Sequence, residues 1–116
     1  MIKVIVAGTR TFNDYEMLCG TLQEILDSYN DITIVSGCAS GADALGERFA
    51  EEHGYNILRF PAEWDKYGMA AGPIRNKKMA EIADMCVVFW DGKSRGTKNM
   101  IDEAMKKCAT TYVRRY

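Results

Sequence analysis

Apolar positions along this chain follow two patterns, and the two alternate. The run at 2–8, IKVIVAG, is continuously apolar and rich in β-branched residues, which predicts a strand buried on both faces. After it, Tyr15, Leu18, Leu22, Ile25, Leu26 and Tyr29 recur at helical spacing, with Asn13 and Glu16 placed as a capping box. A second strand is expected at 32–37, ITIVSG. A second helix is marked by Ala42, Leu45, Phe49 and Ala50, with Ser40 and Asp43 as capping candidates and Gly54 as a left-handed stop. A third strand follows at 56–61, NILRFP, and then a long loop, AEWDKYGMAAG, before Gly72-Pro73 opens a third helix. MCVVFW at 85–90 predicts a fourth strand. Thr97, Met100, Ile101, Ala104, Met105 and Cys108 make an apolar stripe on a fourth helix, and TTYVRRY at 110–116 a short edge strand.

Strand and helix alternating through short connections imply an α/β fold, a Rossmann-like three-layer sandwich with helices on both faces of a five-stranded, mostly parallel sheet. The expected strand order is 3-2-1-4-5, within one domain spanning 1–116. In such sheets ligands bind beyond the carboxyl ends of the strands, where the strand order reverses. That places the loops after Gly8 and at Asp91 across one crevice.

Composition narrows the partners. Fifteen basic and sixteen acidic residues leave a net charge of −1, which speaks against nucleic acid or an anionic membrane as the partner. No apolar run is long enough to span a membrane, and MIKVIVAG does not read as a signal peptide, so the expected location is cytoplasmic. Cysteines at 19, 38, 86 and 108, with His53 as the lone histidine, form no metal-ligand spacing and fit reduced thiols; no metal is expected. Cys38, ahead of the second helix, is the one thiol whose position suggests a lowered pKa.

The strand-to-helix loops carry the candidate chemistry. In DGKSRGT, Asp91 begins the loop, Gly92 and Gly96 allow close backbone approach, and Ser94 and Thr97 offer hydroxyls. Lys93, Arg95 and Lys98 supply charge before a helix N-terminus, where an anion is favoured. A plain polar loop with a cap is the competing account. SGCASGAD presents Gly37, Ser40, Gly41 and Asp43 at the equivalent place after the second strand, and GTR presents Gly8, Thr9 and Arg10 after the first. None of the three matches the dinucleotide fingerprint or the Walker A pattern. Arg75 and Asn76, expected in the first turn of the third helix, are the remaining polar candidates. An arginine at a helix start opposes the dipole, so it either escapes to solvent or faces an anion. Asp43 either caps its helix or meets a ribose hydroxyl. Trp64 and Tyr67 either stack on a base or cover the core.

Ser36-Gly37, Gly41-Ala42-Asp43, Arg75-Asn76 and Gly96-Thr97, in this order at strand ends across nearly the whole chain, resemble the YspA/YpsA-related branch of the SLOG superfamily. That superfamily includes the Lonely Guy phosphoribohydrolases and the Rossmann domain of the DNA-processing protein A. The resemblance implies a Rossmann-like domain that binds a nucleotide-derived small molecule, often as a sensor, with relatives that pair into homo-oligomers. The phosphoribohydrolases carry PGGxGTxxE, whose glutamate assists cleavage of an N-glycosidic bond. Here Gly96-Thr97 match and Met100 occupies the glutamate position, leaving Asp91 as the substitute acid. The expected function is therefore binding of a nucleotide or nucleotide-derived phosphate, with the cofactor unknown. An N-glycosidase acting on a nucleoside monophosphate and a single-stranded nucleic-acid binder are the alternatives.

Overall fold

A computed structural model describes residues 1–107 and 110–116. Its strands β1 (Ile2–Gly8), β2 (Ile32–Ser36), β3 (Asn56–Arg59), β4 (Met85–Trp90) and β5 (Thr110–Arg115) form one sheet in the order β3-β2-β1-β4-β5, with every neighbouring pair parallel. The expected order and sense both hold. The sheet reverses between β1 and β4, where Gly8 stands opposite Phe89.

Alternation along each buried strand divides the core into two layers. Val4, Val6, Ile34, Val87 and Phe89 point to one face and pack with α1 (Tyr15–Leu26) and α2 (Ala42–His53). Ile5, Ala7, Val35, Cys86 and Val88 point to the other and pack with α4 (Ala71–Ile82) and α5 (Arg95–Lys107). Burying both faces explains why these strands read as continuous apolar runs and not as alternating ones. β5 is only half buried, as its arginines foretell. Cys108 lies outside the described residues.

Local details depart from expectation in four places. The α1 cap is Asp14, whose carboxylate accepts the Met17 N–H at 3.0 Å, one residue later than the Asn13–Glu16 box. The start of α2 is Gly41 with no side-chain cap; the Ser40 hydroxyl instead donates to the Arg10 carbonyl at 3.2 Å. The segment after β3 is not a plain loop. It holds the short helix α3 (Trp64–Tyr67) and a 3₁₀ turn (Gly68–Ala70) that lead straight into α4. Because α4 begins at Ala71, Arg75 and Asn76 stand in its second turn and not its first. The Gly54 stop is found, with φ of 72° and its N–H bonded to the Glu51 carbonyl.

Candidate functional site

A cavity of about 320 Å³ opens at the carboxyl edge of the sheet, beside the β1–β4 switch point. β1 contributes Ala7 and Gly8 to its wall and the following loop contributes Arg10. Arg75, Asn76 and Met79 project from α4, and Arg95, Gly96, Thr97, Asn99 and Met100 from the first two turns of α5. Trp64 and Met69 close it from the α3 segment. A second hollow, about 370 Å³, adjoins it behind Arg10, Trp64 and Arg75 and is walled by Gly37, Cys38, Ser40 and Pro61.

Of the residues singled out in the sequence, Gly8, Arg10, Asp43, Arg75, Asn76, Gly96 and Thr97 meet in the main cavity. Gly37 and Ser40 line the adjoining hollow. Thr9, Gly41, Asp91, Gly92 and Ser94 line neither and hold the frame instead. The Thr9 hydroxyl accepts the Asp91 N–H at 3.2 Å, tying the first and last loops across the switch point. Gly41, at φ 73°, brings α2 so close to Thr9 and Arg10 that any β-carbon would strike their backbone. Gly92 lies beneath the Arg115 side chain.

Asp91 is not placed as a proton donor. One oxygen accepts the N–H groups of Lys93 and Ser94 at 2.8 and 2.9 Å, and these bonds hold its carboxyl below the usual range, ionised. Ser94 in turn caps α5: its hydroxyl accepts the Thr97 N–H at 3.3 Å and the Thr97 hydroxyl at 2.9 Å. Both hydroxyls thus serve the helix start before any ligand. Gly96 has no positive φ, and nothing stands within 4 Å of where its β-carbon would be. The helix there is bare on its cavity side.

The buried carboxylate of the site is Asp43. It is 5% exposed, and its Oδ2 accepts the Ala39 N–H at 3.1 Å. Burial pushes its carboxyl up to about 6, against the pull of that N–H and of Arg75. Arg75 is the organising cation. One of its terminal nitrogens donates to the Gly37 carbonyl and, at 3.4 Å, to that of Phe60. Its Nε donates to Asn76 Oδ1 at 2.8 Å. Burial lowers the guanidinium pKa, and Asp43 opposes that shift. Arg10 lies over the Trp64 ring at 5.8 Å.

The surroundings of Cys38 do not activate its thiol. The residue as a whole is exposed, yet partial desolvation of the sulfur, with Glu47 nearby, raises its pKa. Its φ of 65° is held by a bond from its N–H to the Ser36 hydroxyl at 3.1 Å, and that hydroxyl donates to Glu47 at 2.6 Å. Met69, Met79 and Asn99 were missed in the sequence. Asn99 had a signal: it follows Gly96 by three positions and so shares its helix face.

A family model described as YAcAr, the YspA, cpYpsA-related SLOG family, matches residues 2–67. The chain belongs to this SLOG family. The SLOG chain is 33% identical over 113 residues to the Gene 61 protein of Mycobacterium phage D29, covering 91% of its own length and 90% of the phage protein. In fold it is similar to DNA processing protein A (DprA) from Streptococcus pneumoniae, with a TM-score of 0.74 at 19% identity. That match takes in 97% of the SLOG chain and 50% of the DprA chain, so the chain spans half the length of that structural neighbour. No helix among the described residues is long and apolar enough to cross a membrane.

Proposed function

We propose that the protein binds a nucleotide or nucleotide-derived phosphate ester in this cavity and serves as a ligand-sensing module. The observation that carries the reading is the convergence of Arg10, Arg75 and Arg95 on a cavity whose wall also holds Trp64, Met69, Pro73, Met79 and Met100. Cations together with flat or flexible apolar groups suit a ligand that carries both a phosphate and a base. Among the described residues neither Arg10 nor Arg95 is ion-paired, so their charge is free to meet an anion. The open face at Gly96, at the positive end of α5, supports the same placement for the phosphate. The volume lies at the small end of the range for small-molecule sites, roughly 300–1,000 Å³.

Buried Met100 in place of a glutamate favours binding over bond cleavage. One observation favours the N-glycosidase reading: Asp43, with its carboxyl near 6, lies in the cavity wall, where a general acid would be needed. If the protein is a hydrolase, Asp43 and not Asp91 is its acid. The name of the structural neighbour brings DNA into consideration. Lys77, Lys78, Lys106 and Lys107 are exposed, Lys106 lies 3.8 Å from Glu103, and the near-zero net charge of the chain weighs against a nucleic-acid partner.

Native mass spectrometry of the protein purified from cells, followed by calorimetry with nucleoside monophosphates, ribose 5-phosphate and a short single-stranded oligonucleotide, tests the reading. The expected result is binding of the nucleotides without release of free base. Base release that vanishes in Asp43→Asn would make the protein a glycosidase. Binding of the oligonucleotide alone would overturn the small-molecule reading.

A further inference from the structure

Asn99 has an orientation that the chemistry of its neighbours leaves no freedom to choose. Arg75 Nε can only donate, so the Asn76 atom 2.8 Å away must be the carboxamide oxygen. The other end of Asn76 is therefore its NH₂, which donates to the Gly96 carbonyl at 3.4 Å and to Asn99 at 2.9 Å. The Asn99 atom facing it must be oxygen. What remains of Asn99 is its own NH₂, which has no partner among the described residues, on a side chain that lines the cavity beside Met100. Asn76 is 5% exposed, so no water competes freely for these bonds. The arginine thus sets a relay, from Arg75 through Asn76 to Asn99, that ends in a fixed donor.

We infer that Asn99 determines which base the cavity accepts, selecting a ligand whose exocyclic group at that point is a carbonyl and not an amine. This deepens the nucleotide reading and rests on it. A keto base such as hypoxanthine or uracil meets the Asn99 NH₂ with an acceptor. An amino base such as adenine or cytosine sets donor against donor, and a donor that the bound base covers without offering it an acceptor loses its bond to water.

Two substitutions reverse the donor by independent routes. Asn99→Asp keeps an oxygen for Asn76 to bond and turns the outward NH₂ into an acceptor. Asn76→Asp still accepts from Arg75 but no longer donates to Asn99, so Asn99 turns its NH₂ inward and shows its oxygen to the cavity. Calorimetry with inosine monophosphate, adenosine monophosphate and ribose 5-phosphate reads the outcome, with circular dichroism confirming the fold of each variant. The quantity compared is the ratio of the two nucleotide affinities, because an added carboxylate weakens every anion alike. The unmutated protein should favour the inosine nucleotide by about tenfold, and both variants should favour the adenosine nucleotide. Nucleotide binding with a ratio that neither variant changes would remove Asn99 as the selector and leave the nucleotide reading standing. Failure of all three probes to bind the unmutated protein would end both.

Discussion

An Arg75 terminal nitrogen donates to the Gly37 carbonyl, and a β-carbon on Gly37 would stand 2.7 Å from that nitrogen and 2.8 Å from Asp43 Oδ2. Gly37 is a glycine because two charged groups close over it, not because its backbone turns left-handed. Gly37→Ala should therefore push Arg75 off its carbonyl and open the cavity wall. Loss of roughly 1–3 kcal/mol of stability is expected, the range for breaking a buried polar network. Urea denaturation measures it. An alanine variant as stable as the parent would mean that Arg75 has another comfortable position.

Arg75→Ala follows from the same contact. Read from the sequence, this arginine opposes a helix dipole, and its removal should leave stability unchanged or raised. In the second turn of α4 that penalty is gone, and the side chain supplies donors to Gly37, Phe60 and Asn76. The variant should lose about 1–3 kcal/mol, the cost of unsatisfied buried acceptors, along with ligand affinity. Arg75→Lys keeps the charge but not the planar fork, and should recover only part of either. Thermal melts of the two variants separate packing from charge.

How much of this was legible beforehand depends on the range of the interaction. The parallel sense followed from alternation alone, since each apolar run and each helical stripe is a local pattern, while the order 3-2-1-4-5 is one of the common arrangements of such a sheet and is not fixed by any local pattern. The positions of Arg10 after a strand and of Gly96 at a helix start were legible for the same reason, whereas Arg75 stands one turn deeper in its helix than the Gly72-Pro73 start implies. The loop-bracing bonds of Asp91 are not legible in the sequence, because its partners are backbone N–H groups two and three residues on, which a residue type does not announce. Asp43 presented the same ambiguity in reverse: its burial depends on α2 sitting tight against the first loop, which Gly41 permits. The α3 segment escaped notice because four helical residues carry too little periodicity to detect.

Asp43 gives the fold a pH dependence of unusual sign for an aspartate. Burial raises its folded-state carboxyl from the ordinary 3.8 to about 6. Below 3.8 folded and unfolded chains both hold the proton. Between there and about 6 only the folded chain does, so stability from this group falls as pH rises, and the cost of the buried charge is complete above that window. Asp91 has the opposite sign: its carboxyl is lowered, and its contribution is lost only as pH falls through the more acid region. Asp43→Asn keeps an oxygen for the Ala39 N–H and removes the charge. Its stability should decline less than the parent's between about pH 4 and 6, as measured by urea midpoints across that range. Parallel curves for the two proteins would place the Asp43 pKa in the ordinary range.

Gly96 separates folding from binding most cleanly. It is the second residue of α5, its backbone is not left-handed, and its β-carbon position is open. Replacing a helical glycine removes an entropic penalty of up to about 1 kcal/mol, so Gly96→Ala should leave the protein as stable or slightly more so. Gly96→Val regains less, because a β-branched side chain is stiff in a helix, yet it too meets no obstacle. Both side chains extend into the space where a phosphate would approach the start of α5, and the valine fills more of it. Affinity for a nucleoside monophosphate should fall modestly in the alanine variant and by at least about tenfold in the valine variant, equivalent to about 1.4 kcal/mol. Melting temperatures should not fall. A valine variant that folds normally and binds with unchanged affinity would move the phosphate away from α5, to the adjoining hollow walled by Gly37 and Ser40.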